Sequence, residues 1–304
     1  MVTLDPTILL QPFQYEFFIR AILVSVLVGG VCGLLGVYII LRGMSYIGHG
    51  MSHAVFGGAV ASSIVGFNFY IGAGIWGFVS AVLINEITRR SKVKADAAIG
   101  VVTTAGFAIG VFLISTTRSY TRNFEALLFG NILGITDQDL LVISLVTALT
   151  TAFIFFFQKR LLFTLFDKET AKVYGIRTDK VELLFTLILA TVVIASMSSI
   201  GVTLLAAAIV APAISARVIT NNFSKMVISS TILGVTISFL GMYSSYFFDS
   251  ASGSTIVLYG AASFGISSLY AHLRKLYQTH THGRLAHSHP HVHVKEHKHE
   301  HLKK

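Results

Sequence analysis

Cysteine is almost missing: Cys32 is the only one in 304 residues, which excludes an internal disulfide and a cysteine-based zinc site. It falls inside the first apolar stretch, where a small buried thiol is expected. Charge is scarce too. Asp, Glu, Lys and Arg make up 12% of the chain against 54% apolar residues, and the mean hydropathy is +0.73, far from the values of soluble domains. That balance specifies an integral membrane protein. No Gly-x-x-x-x-Gly-Lys-[Ser/Thr] loop occurs, so any nucleotide is hydrolysed by a separate chain. Clear carboxylates within the apolar stretches are lacking: Glu86 and Asp249 sit at span ends and Asp96 at the mouth of one. A proton-coupled exchanger is thereby short of the titratable groups it needs. Met1 to Tyr15 contains Asp5, Pro6 and Pro12 but no basic residue, so it does not read as a secretory leader, and the first span is expected to stay in the membrane.

What is present is a series of apolar stretches long enough to cross ~30 Å of hydrocarbon as helices. They lie at about 21–41, 48–67, 70–87, 97–116, 139–157, 180–198, 200–217, 226–248 and 254–272. The second, third, sixth and seventh run together with few polar breaks, so the pattern predicts an all-α bundle of eight or nine transmembrane helices. Under the nine-span reading, Arg89, Arg90, Lys92, Lys94, the basic residues from Lys159 to Lys180, Arg217, Lys225, Arg274 and Lys275 share one side, which the positive-inside rule makes cytoplasmic. The opposite loops balance Arg118 and Arg122 against Glu125, Asp137 and Asp139, and add Asp249. The N-terminus is then outside and the C-terminus inside. This bias, rather than nucleic-acid binding, accounts for the net charge of +9.

The stretch from Gly43 to Gly58 is the chemical centre of the chain. It is rich in glycine and carries His49 and His53, the only histidines before residue 272. On a helix they stand one turn apart on one face beside Ser52, able to reach one point. Imidazoles in lipid-spanning sequence are costly to leave unpartnered and mark a site or pathway; a pair of packing histidines bonded to neighbours is the alternative. Gly29, Gly33 and Gly36, and Gly100, Ala105, Gly106 and Gly110, have the small-residue spacing of helices in close contact. Pro212 should kink its span, either beside a substrate path or simply for packing.

Two further segments stand apart. Residues 160–180 are too polar to span, and Asp167 to Ile176 has an acidic start, helix formers and Gly175 as a stop. A short surface helix offered to a partner is expected there, with a solvated connector as the alternative. Residues 273–304 form a polar tail, and 280–304 contain nine histidines. This tail is expected to be disordered and cytoplasmic. Its His-x-His spacing suits weak binding of zinc, nickel or copper above a pH of about 6.5, where the rings are neutral.

Three chemistries compete on these residues. A membrane zinc protease would need the glutamate of His-Glu-x-x-His, and here Gly50 stands in its place. A secondary transporter or exporter, proton-coupled, lacks its carboxylates. The membrane half of an ATP-driven transporter fits best, with the ATPase supplied by another chain.

The sequence also resembles the permease subunits of the manganese, zinc and iron ABC importers, the ABC-3 type metal permeases. The likeness runs from about residue 16 to 272. It rests on Gly48-His49-Gly50-Met51-Ser52-His53-Ala54-Val55-Phe56-Gly57-Gly58, Ala97-Ala98-Ile99-Gly100-Val101, Leu127-Leu128-Phe129-Gly130-Asn131-Ile132-Leu133-Gly134, Gly201 to Ala213 and Ser252 to Leu258, in family order. The resemblance implies a homodimeric permease domain over 1–272 and a bacterial plasma membrane location. It also implies two cytoplasmic ABC ATPases, an extracytoplasmic metal-binding protein, ATP used only by the partner and no permanent cofactor. The family's metal-gating pair is an aspartate and a histidine in Gly-Asp-x-x-Ser-His-Ala; the histidine maps to His53, and His49 replaces the aspartate. Gly57 stands where the family usually has proline. Two imidazoles tilt preference from manganese toward zinc or iron. Asp167 to Ile176 matches the family's ATPase-coupling helix, with Asp167 at its start and Glu169, Ala171 and Gly175 in contact positions. On this reading the ion meets His49 and His53 of both subunits at the outer mouth.

Overall fold

The computed structural model describes residues 9–44, 46–90, 95–117, 128, 130 and 134–281. Lys92, Lys94, Arg118, Arg122, Glu125 and the tail from His282 onward lie outside the described residues. After a 3-10 turn at Gln11–Gln14 come α1 (Glu16–Leu41), α2 (Tyr46–Ile64), α3 (Phe69–Arg90), α4 (Ala95–Thr117) and α5 (Asp137–Phe166). The short α6 (Lys168–Val173) follows, then α7 (Thr178–Ile200), α8 (Val202–Ile219), α9 (Phe223–Phe248) and α10 (Ser252–Thr281). Among the described residues no strand occurs, as a bilayer requires of an open chain that must satisfy its own backbone groups.

Nine of these helices have at least 18 residues, and eight are long and apolar enough to cross a membrane. The ninth is α2, whose two histidines, four glycines and three serines dilute its hydropathy. It is nevertheless as tall as its neighbours. At its start, Met44 and Ile47 share a cavity with Thr88 of α3, Thr164 of α5 and Glu182 of α7. Past its end, Tyr70 donates a hydrogen bond to Asp139 at the opposite tip of α5. The 19 residues of α2 therefore run between the two ends of the bundle, about 28 Å at 1.5 Å per residue, packed against α3, α4, α7 and α8.

Glycine sets how closely the helices approach, because hydrocarbon gives apolar side chains no reason to associate. Along α1 and α9, a Cβ at Gly29 would run into the Gly234 carbonyl, and one at Gly33 into the Ser230 carbonyl. The Ser230 hydroxyl donates to the Gly33 carbonyl at 2.6 Å. Gly36 meets the carbonyl of Ile209 on α8 in the same way. This makes α1 the central post, with 72% of its apolar window buried. Pro212 is buried within α8, beside the contacts of Ala213 with Gly36 and Ala211 with Gly260, so it belongs to helix packing and does not line the histidine cavity described below. Two hydroxyls beside the histidine pair return to their own helix: Ser52 donates to Gly48 at 2.8 Å and Thr103 to Ile99 at 2.7 Å, which removes the cost of burying them.

Two segments of the sequence pattern meet at the end opposite α6. Thr203 donates to the carbonyl of Leu128 at 2.6 Å, and Gly130 lies so close to Ser199 and Ile200 that no Cβ would fit. Gly201, at φ 88°, supplies the left-handed turn between α7 and α8. Beside it, Thr136 and Asp139 form a reciprocal cap at the start of α5.

Charge divides between the two ends. The α6 end carries Arg42, Arg89, Arg90, Lys159, Arg160, Lys168, Lys172, Arg177, Lys180, Arg217, Lys225 and Arg274. At the other end Arg20 is held by Glu16 and Asp137. The packing gives a direct test. Gly33→Leu should lower stability by about 1–3 kcal/mol or prevent insertion through backbone overlap, whereas Gly74→Ala, which meets nothing within 4 Å, should be neutral or mildly stabilising. Thermal unfolding of the detergent-purified variants checks both.

Candidate functional site

The site begins with a turn. Gly43 adopts φ 66°, a left-handed conformation that ends α1 and lets the chain reverse into α2 within a few residues. Helical periodicity then places Tyr46, His49, Gly50 and His53 on one side of α2. These four face Asp96, Ile99, Gly100, Thr103, Thr104 and Phe107 of α4 across a cavity of about 520 Å³. Gly50 lets α2 press onto Ile99 and Thr103, and Gly57 meets the backbone of Gly106. The helices are thus in close contact at both levels. The cavity is the wedge left beside these contacts, open toward the flank of the single chain, where Tyr46 is 69% exposed.

The two imidazoles converge in this wedge. Their Nε2 atoms are 3.1 Å apart, and the rings lie 4.4 Å apart at 84°. Phe107 covers His53 edge to face, with centroids 4.7 Å apart, and packs in turn against Phe56. His53 is half-buried and its Nδ1 is enclosed without a hydrogen-bond partner, while His49 is exposed to the cavity. Neutral imidazoles that face each other this way share one N–H···N hydrogen bond, and both lone pairs point at the same small volume once that proton is absent.

The pair lies nearer the α6 end of the bundle than the opposite one. Because α2 starts at the α6 end, His49 is one turn inside that end and His53 lies about 3 Å from the middle of the helix. Directly beneath is a second, more polar cavity of about 380 Å³, lined among others by Arg42, Asn85, Thr88, Lys168, Glu182 and Thr186. Ile99 borders both cavities. With Ile47, also fully buried, it forms the apolar partition between them. Arg42 roofs the lower space, its guanidinium 4.5 Å above the Phe185 ring.

Other residues singled out in the sequence lie elsewhere. Gly100 is not a packing glycine: nothing stands within 4 Å of where its Cβ would be, and it lines the histidine cavity instead. Asp96, read as standing at a helix mouth, lines that cavity as well. Yet among the described residues no three His, Cys, Asp or Glu side chains are close enough to hold an ion. Asp167 caps α6 by accepting from the Thr170 N–H at 2.9 Å. Hydrogen bonds from the Thr170 side chain and then its backbone hold this carboxyl below the ordinary carboxylate range. Glu169 is exposed and paired with Lys172 at 2.9 Å, and Gly175 ends the helix at φ 77°. Ala171 differs from its expected contact role: it is completely buried and seats α6 on the bundle. Glu169 and Gly175 do face outward, and beside them Val173 and Tyr174 are 85% and 74% exposed. Phe107 and Thr103 were missed by sequence reading, since an aromatic and a threonine in an apolar span look like any others until α4 is laid against α2.

Comparison with known proteins places this architecture. The manganese transport system membrane protein MntC of Listeria monocytogenes is 36% identical over 258 residues, covering 85% of this chain and 92% of its own. The chelated iron transport system membrane protein YfeC of Yersinia pestis is 31% identical over 250 residues, covering 82% and 85%. Among solved structures, PsaBC from Streptococcus pneumoniae in complex with Fab superposes with a TM-score of 0.78 at 35% identity, covering 89% of this chain and all of that one. Residues 14–271 match the ABC 3 transport family along their length, with both cavities and the α6 turn inside the matched span, so the chain belongs to that family as a multi-pass membrane permease.

Proposed function

We propose that this chain is the permease subunit of an ATP-driven importer for a divalent transition metal: manganese or zinc, with iron as the third candidate. The observation that carries the reading is the 3.1 Å approach of the His49 and His53 Nε2 atoms in a cavity open to the side. With metal–nitrogen bonds of ~2.1 Å, that separation subtends about 95° at a shared cation, compatible with tetrahedral or octahedral coordination. One chain contributes two such ligands. A second copy packed against the α2–α4 flank brings two more, so the ion crosses at the axis of a homodimer among four imidazoles. The relatives are described as manganese and chelated-iron transport proteins. Nitrogen in place of the family's carboxylate favours the softer end of that series and avoids an anionic trap from which the ion would leave slowly.

The excess of lysine and arginine makes the α6 end cytoplasmic. An extracytoplasmic metal-binding protein delivers the ion at the opposite end. It rests at the histidines, and it leaves through the lower cavity when the Ile47–Ile99 partition opens. Two ABC ATPases dock on the exposed Val173–Tyr174 edge of α6. Their closure is passed inward by Ala171, which seats the helix, and by Lys168, whose Nζ lies 2.8 Å from Glu182 on α7. Work is done because nucleotide binds the two access states with different affinity. The domain reading is a permease over 1–272 followed by a cytoplasmic histidine-rich tail over 273–304 that captures or senses ions.

Replacing both His49 and His53 with alanine should reduce uptake of radiolabelled Mn²⁺ or Zn²⁺ in cells to the vector background at normal membrane abundance; undiminished uptake removes the site. Val173→Asp should abolish co-purification of the ATPase while leaving the permease folded by size-exclusion chromatography, and retained co-purification would move the docking surface off α6. Truncation after Thr281 should preserve uptake and lower the zinc retained by purified protein. Loss of uptake on truncation would put the tail in the transport path.

A further inference from the structure

A second groove, of about 550 Å³, lies on the outer flank where the last third of α5 meets the α6–α7 turn and the first turns of α7. Arg160, Arg177 and Lys180 line it, with Phe157, Val181 and Leu184 as its apolar wall. No acidic residue lines it. The acids nearby are already engaged: Lys168 holds Asp179 and Glu182, and Lys172 holds Glu169. Within the described residues Arg160, Arg177 and Lys180 have no ion-pair partner, so three exposed cations converge without a counter-ion. Arg160 is steered by the face of Phe157, 5.5 Å from the ring centroid.

The surroundings select the kind of anion. Only 22% of the apolar window of α5 is buried, and Phe155, Phe156 and Leu184 are 74%, 77% and 41% exposed, as expected of a lipid-facing surface. Arg160 follows the apolar stretch of α5 while Arg177 and Lys180 flank the start of α7, so the three cations gather where apolar helix surface gives way to the polar end, with Phe157 and Leu184 on the apolar side. A soluble anion would use the first feature and waste the second. A groove of this size is in the range of small-molecule sites, and basic pockets between transmembrane helices suit anionic headgroups. We infer that this groove is a binding site for an anionic phospholipid of the leaflet at the α6 end, its phosphate held by Arg160, Arg177 and Lys180 and its acyl chains lying along Phe157 and Leu184. Because Tyr174 and Gly175 of the α6–α7 turn form one wall, the bound lipid braces the seat of α6.

The full chain, purified in neutral detergent and titrated with phosphatidylglycerol or phosphatidylcholine, is read by native mass spectrometry. One tightly held phosphatidylglycerol per chain is expected, weakened about tenfold or more in R160Q/R177Q/K180Q and about fivefold in K180Q. The equal-charge control K159Q/K225Q/R274Q should bind as the parent does, and R160K/R177K should restore most binding should the triple variant fail to fold. Equal loss in the control reduces the effect to diffuse charge and overturns the site. So does equal retention of phosphatidylcholine, full displacement by inorganic phosphate at the lipid's concentration, or unchanged lipid with loss of the co-purifying ATPase, which would make the groove a protein-docking surface.

Discussion

The backbone contact between Gly57 of α2 and Gly106 of α4 is the hinge on which the arrangement depends. In hydrocarbon, two helices gain little by burying leucines against each other, so attraction comes from close van der Waals contact that only small residues permit. At Gly57 the gap closes until no Cβ would fit. Toward the α6 end Gly50 makes a second close approach, to Ile99 and Thr103, and the histidine cavity lies beside these contacts. A β-carbon at the crossing would separate the helices, move Phe107 off His53 and spread the walls of the cavity.

Enclosing α2 solves a second problem. Its histidines, serines and glycines leave it without a stretch apolar enough to count as a membrane span, and such a segment is poorly suited to face lipid. Neighbours on several sides remove that exposure, and the hydroxyl of Ser52 is satisfied within its own helix. The Ser63 hydroxyl is enclosed without a partner, and the two imidazoles are directed at each other and at one open cavity. Below them Ile47 and Ile99 interrupt the polar route, and Glu182, Asn85 and Thr88 resume it beyond. A largely apolar chamber holding the two imidazoles, an apolar partition and a more polar chamber in series suit a passage that opens on one side at a time.

The basic end of the bundle is organised around α6. The helix has only six residues, too few to be stable alone, and it persists through the Asp167 cap, the Gly175 stop and burial of Ala171. Its ion pairs are exposed and individually weak. The rigidity of the seat therefore comes from packing, and the lipid groove beside it extends the same support to the membrane.

Much of this was legible in the chain itself. Hydropathy runs located all nine tall helices, including α2, because the length needed to cross hydrocarbon is fixed and the breaks between runs carry charge or glycine. But α5 and α10 run nine residues past their expected ends at 157 and 272, since a helix continues into polar sequence that hydropathy does not count. The four-residue spacing of His49 and His53 put them on one face, and the acidic start and glycine stop announced α6. The tertiary structure decided what local pattern does not encode. Depth in the membrane depends on the end from which α2 starts, and that follows from the turn at Gly43. Whether a glycine packs, as Gly57 does, or opens a cavity, as Gly100 does, depends on the helix laid against it. Phe107, Asp96 and Ile99 acquired roles only because α4 lies beside α2, and Ala171 turned inward because its face of α6 meets α5 and α7. Contacts between helices distant in sequence are set by complementary surfaces, and periodicity within one helix carries no record of its partner.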